Sequence, residues 1–204
     1  DPRQAGQAGF QLSYAVVTGI LFYGVPLTRW LHERLEPYRD LPPQSWRWRH
    51  HARAWLQHHA LGLFAISLAA TIAAAPLTLL HFRVFAPAAL VANLALIPMA
   101  GAVIATGCLS AISGLAGLAG LAGWVNLPAL PLLAAMEGLV GGLGAVPGVA
   151  LRLGFEARWA GYLAAGGLLA VFLALEPARA LARPARFLIP PLALAGVLAL
   201  AALA

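Results

Sequence analysis

His50-His51 and His58-His59 are the residues whose type most readily does chemistry, because imidazole binds metals and titrates near neutral pH. The two pairs stand seven to nine residues apart. On a helix rising ~1.5 Å per residue that separates them by at least ~10 Å, whereas a shared zinc holds each nitrogen at ~2.0–2.1 Å. No cysteine or carboxylate stands beside them to complete a tetrahedron, so a solvated or interfacial cluster is expected and no metal site. Glu137 is the clearest carboxylate inside an apolar run, and an acid within a membrane is by default functional. Its run also reads as interfacial, however, and then the side chain is simply exposed. No nucleophile–base arrangement, phosphate-binding glycine loop or His-Glu-x-x-His zinc motif occurs. No catalytic residue, cofactor or metal is therefore expected, and the chain reads as a non-enzyme.

A second set of residues is polar without being reactive. Gln11 and Ser13 open the first apolar run, Ser67 and Thr71 stand four apart in the second, Thr78 follows Pro76, and Asn93 precedes Pro98 in the third. Pro98 has no N–H, which frees the carbonyl of residue 94. An unpartnered polar group in hydrocarbon costs ~2–7 kcal/mol, so each must face another helix, a cavity or a pore. Hydrogen bonds between helices, worth ~0.6–2 kcal/mol each, account for the spacing. The functional alternative is the lining of a hydrophilic path through broken helices. Arg47, Arg49 and Arg53 surround Trp48 and Trp55, which lie two turns apart on one face of a helix that Ser45 would cap. Arginine beside tryptophan suits an anchor among lipid head groups, each Arg gaining roughly 1 kcal/mol near an anionic leaflet. The same side chains also suit phosphate contact and base stacking on nucleic acid.

The elements that must carry these residues are membrane helices. Of the 204 residues, 61% are hydrophobic and 10% charged, with a mean hydropathy of +0.82, outside the range of soluble domains. Helices satisfy their own backbone in lipid over ~20 apolar residues, and the alternating ~10-residue segments of a barrel are absent. An all-α polytopic fold of about five or six transmembrane helices and one possible interfacial helix is expected. The runs cover approximately 8–27, 60–80, 87–113, 125–146, 160–175 and 187–204, with a basic loop at 29–59. The run at 125–146, with Pro128 and Pro131, reads equally as a broken or interfacial helix. Gly114, Gly117, Gly120 and Gly123, three apart, suggest close helix packing or a low-complexity turn.

All thirteen basic residues are arginine. If six runs span, nine arginines (29, 34, 39, 47, 49, 53, 179, 183, 186) face four (3, 83, 152, 158) across the membrane. That asymmetry favours a cytoplasmic long loop with both termini outside; a flat fourth run weakens it to eight against five. The single cysteine, Cys108, excludes an internal disulfide. Without an initiating methionine or a signal-peptide pattern at Asp1, the chain reads as a fragment.

Asp1-Pro2 followed by Gly9-Phe10-Gln11-Leu12-Ser13-Tyr14-Ala15-Val16 resembles the opening segment of the membrane domain of the ComEC family of DNA-uptake proteins. Leu68 through Pro76-Leu77, then Phe85 to Leu90, Asn93 and Ile97-Pro98, resemble a second segment of it. The resemblance covers about Asp1 to Gly107 and is hydropathic beyond. It implies a multi-pass channel in the cytoplasmic membrane that passes single-stranded DNA during natural transformation, with Gln11, Ser13, Asn93 and Pro98 shaping the path. It also implies partners: single-stranded DNA, the bilayer, other competence proteins or a second copy. Further partners would be domains of the same protein, an oligonucleotide-binding-like module upstream and a metallo-β-lactamase-like, strand-degrading domain downstream. A small-molecule secondary transporter, another polytopic membrane protein or a membrane scaffold is the rival reading.

Overall fold

The computed structural model describes residues 6–35, 47–146, 148–174 and 184–203. Asp1, Pro2, Arg3, Glu36, Arg39, Asp40, Ser45, Arg179 and Arg183 lie outside them. Among the described residues the chain is all-α: α1 Ala8–Gly19, a π turn Ile20–Gly24, α2 Val25–Arg34, α3 Trp48–Phe82, α4 Ala89–Leu115, α5 Ala119–Asn126, α6 Ala129–Gly144, α7 Arg158–Ala174, a 3₁₀ turn Pro184–Leu188 and α8 Ile189–Leu203. Five helical stretches are long and apolar enough to cross a membrane: Ala8–Arg34, Trp48–Phe82, Ala89–Leu115, Ala119–Gly144 and Ala185–Ala202. The apolar helix α7 is shorter. The chain is a polytopic helical membrane protein. Its contacts divide it into two units, Asp1–Pro87 with Leu151–Ala204, and Ala88–Ala150.

In the first unit, α1 passes through the π turn into α2 without a break. Pro26 explains the wider turn. It offers no N–H to the carbonyl four residues back, and its ring would crowd that turn. The Val25 N–H instead reaches back five residues to the Ile20 carbonyl. The added residue puts Gly19 and Gly24, five apart, on the same side, both facing α3. A Cβ on Gly19 would stand 2.5 Å from the Ala73 Cβ, and one on Gly24 3.1 Å from that of Ala69. With Ala65, Ala69 and Ala73 fully or nearly buried at four-residue spacing, the two helices meet along small residues. Lipid is as apolar as leucine, so close backbone approach rather than hydrophobic burial drives such contacts.

Helix α7 also packs on α3, where Gly161 makes room for a large side chain: a Cβ on Gly161 would stand 2.7 Å from the Leu80 Cδ1. The core is filled by Tyr23, Ile72, Phe172 and Phe187 at one level and by Ala75, Leu79, Phe155 and Val197 at another. Hydropathy places the end of the first run near Leu27, yet the helix continues to Arg34. Tertiary contacts hold that extension: the His32 ring stacks on His58 at 3.7 Å, and the Gln57 Nε2 donates to the Leu35 carbonyl at 2.6 Å.

The second unit packs α4 against α5 and α6. The Ser110 Oγ donates to the Ala122 carbonyl at 2.9 Å, tying α4 to α5. The glycine series does not form a close helix seam: a Cβ on Gly114, Gly117, Gly120 or Gly123 would meet nothing within 4 Å. Gly117 instead takes φ +78° in the turn between α4 and α5, a conformation glycine adopts without a Cβ penalty. The run containing Glu137 breaks at Leu127-Pro128, where Pro128 precedes the first residue of α6. Glu137 itself is exposed on α6.

Candidate functional site

Gln11, on the second turn of α1, is half-buried. Its Oε1 lies 3.0 Å from the Nε2 of His81, near the C-terminal end of α3, so in this orientation the imidazole N–H donates and the amide oxygen accepts. The bond joins the first helix to the end of the third between two antiparallel apolar segments. Ser13, two residues on and so turned about 200° around the helix, is exposed. Asn93 and Pro98 belong to the second unit. Asn93 is half-buried on the second turn of α4, and Pro98 is exposed within the same helix, which runs on to Leu115. The structure thus joins Gln11 to a histidine that sequence reasoning did not single out. The signal for it was three-residue spacing, since Thr78 and His81 share a face of α3 beyond Pro76.

Two further hydroxyls of α3 stay within the helix or the core. The Thr78 Oγ1 donates to the Ala75 carbonyl at 2.9 Å. Ser67 is fully buried, and its Oγ has no hydrogen-bond partner among the described residues.

The arginine–tryptophan group does not form a separate surface helix. Arg47 caps α3, and Trp48, Arg49, Arg53 and Trp55 occupy its first two turns. The Arg47 N–H donates to the His50 Nδ1 at 3.1 Å, so the side chain three residues on satisfies the backbone at the start of the helix. A 35-residue helix at ~1.5 Å per residue is ~52 Å long, well over the ~30 Å of a hydrocarbon core. The amphipathic turns are therefore the part of the span that outruns the lipid. Trp48 and Trp55 are 74% and 63% exposed, and the Arg49 guanidinium lies 5.6 Å from the centre of the Trp48 ring. The Trp55 ring packs at 4.2 Å from that of His59, whose Nδ1 lies 2.8 Å from the Trp55 carbonyl. His58 is engaged with His32, so the two histidine pairs have different neighbours. No group of three or more His, Cys, Asp or Glu able to hold a metal comes together among the described residues.

Membrane-length helices joined by amide, imidazole and hydroxyl side chains are common to many polytopic proteins, and the comparison with known families decides between them. The family described as Competence protein matches residues 1–178. The chain belongs to the Competence protein family. The match takes in both segments that carry the resemblance and every helix except α8. Membership gives this membrane protein a role in competence, the uptake of DNA. No curated protein and no solved structure matches the chain.

Proposed function

We propose that the chain is the transmembrane part of a ComEC-type channel that passes single-stranded DNA across the cytoplasmic membrane in natural transformation, and that it makes and breaks no covalent bonds itself. The observation that carries the reading is the match to the Competence protein family over residues 1–178. A polyanion cannot cross ~30 Å of hydrocarbon without a wet lane. The core of the first unit is filled by Tyr23, Ile72 and Phe172, so the lane runs along a face of this bundle rather than through it. Neutral groups such as Gln11, Ser13 and Asn93 suit its throat, because they contact phosphates without trapping them. Arginines bind DNA tightly and in a salt-dependent way, which suits its mouth. In-frame removal of the segment from a transformable host should leave labelled DNA in a nuclease-protected outer compartment and out of the cytosol. Gln11→Leu with Asn93→Leu should give the same block with membrane insertion intact; unchanged cytosolic uptake removes both residues from the path.

A further inference from the structure

At the end of the first unit that holds Gln11 and His81, two features of the chain remain without a use. Arg83, immediately after α3, takes a left-handed backbone at φ 54° and ψ 33°, the sole non-glycine residue with positive φ among those described. That position after a helix ordinarily falls to glycine, because a Cβ is strained there. The surroundings fix it in place. Phe85 and Leu151 exchange both backbone hydrogen bonds, at 2.9 and 2.7 Å, which lays the segment of Arg83 beside that of Arg152. Gly154 lets the Arg83 stem pass, since a Cβ there would stand 2.9 Å from the Arg83 Cγ. The result is a cleft of about 680 Å³ lined by Arg83, Arg152, Gly154 and Glu156, with Phe82 and Phe155 on its walls. Two guanidiniums against one carboxylate leave it net positive.

A second cavity, of about 520 Å³, shares Phe155 and Glu156 with the first. It runs between the first turns of α7 and the last turns of α8, along Trp159, Leu163, Val197 and Leu200. Its lining is almost entirely apolar. The polar cleft lies at the helix ends and the apolar groove along the helices, which is the order of a lipid from head to tail along the bilayer normal. Trp159, on the first turn of α7 in the groove and 68% exposed, suits the level where tryptophan is enriched at membrane–water boundaries.

We infer that this end of the first unit binds one glycerophospholipid, its phosphate on Arg83 and Arg152 and an acyl chain in the groove between α7 and α8. Basic pockets between transmembrane helices recognise phospholipid head groups through such contacts. Glu156 accepts hydrogen bonds from a glycerol or ethanolamine substituent, whereas choline offers it no N–H or O–H. The inference rests on the cleft and groove alone and holds whether or not the chain is a channel.

The test is native mass spectrometry of the full 204-residue chain in detergent, with phosphatidylglycerol, phosphatidylethanolamine and phosphatidylcholine of equal chain length. The expected result is one retained phosphatidylglycerol or phosphatidylethanolamine, and weaker retention of phosphatidylcholine. Arg83→Gln with Arg152→Gln should lower retention roughly tenfold, and Leu163→Trp, which fills the groove, should lower it without touching the arginines. Arg152→Gln alone, on an exposed position with ordinary backbone, separates lost binding from lost folding. Retention unchanged in the arginine variants overturns the site and leaves only annular lipid. Inorganic phosphate bound equally well with and without Leu163→Trp, while lipid is not retained, overturns it in favour of a free-anion site. An oligothymidylate that binds through the same arginines while lipid does not overturns it in favour of nucleic acid.

Discussion

The hydroxyl of Tyr23, within the π turn, is buried and donates to the Phe187 carbonyl at 3.0 Å, joining that turn to the 3₁₀ turn that precedes α8. Tyr23→Phe leaves that carbonyl without its donor, at a cost of ~1 kcal/mol. Ser67 is the opposite case, with an Oγ already sealed in the core and lacking a partner among the described residues. Ser67→Ala removes a desolvated group at no loss of hydrogen bonding, so stability should hold or rise. Unfolding titrations in mixed micelles check both, and a destabilised Ser67→Ala shows that its hydroxyl has a partner after all. A single residue's chemistry here depends on what stands opposite it. Gln11 and Ser13 look alike in the sequence, yet one meets His81 and the other faces outward.

Glycine has two meanings among the helices. At Gly19 the chain approaches Ala73 so closely that a Cβ has no room, whereas at Gly107 on α4 a Cβ would meet nothing within 4 Å. Gly19→Ala should destabilise by ~1–3 kcal/mol through overpacking. Gly107→Ala should be neutral or stabilising by up to ~1 kcal/mol through helix propensity. The same titrations read the two signs, and equal effects would mean that α1 and α3 do not pack along this seam. Helix length carries a further consequence for α3. Its N-terminal turns outrun a ~30 Å core, so the arginine–tryptophan group extends a span instead of forming an independent surface helix.

Across the first unit, the helix ends sort into two sets. His32, His58 and Leu35 meet at one end, and Gln11, His81 and the Arg83–Arg152 cleft lie at the other. The arginine count predicts that the first end faces the cytoplasm. Cysteines placed at Gln57 and at Glu156 in the intact membrane should then label from opposite sides, the former only from within. Replacing Arg47, Arg49 and Arg53 with glutamine should produce a mixed orientation in the same assay. If orientation is kept and only DNA transfer falls, those arginines contact nucleic acid rather than set topology.

Hydropathy alone determined the class of this protein, an all-α membrane chain, because ~20 apolar residues in lipid can satisfy their backbone in only one way. The segments around Gln11 and Asn93 carried the family, since their order along the chain is itself a sequence property. Tertiary structure alone decided which polar residues meet, because the partner of Gln11 stands 70 residues away and no local pattern encodes so distant a contact. It also decided which glycines are contacts: the regular series from Gly114 to Gly123 is open, while the irregular Gly19, Gly24 and Gly161 are sealed against neighbours. For Gly19 and Gly24 the physical reason is the π turn at Ile20–Gly24, which shifts the helix phase by one residue and hides their shared face from any fixed periodicity.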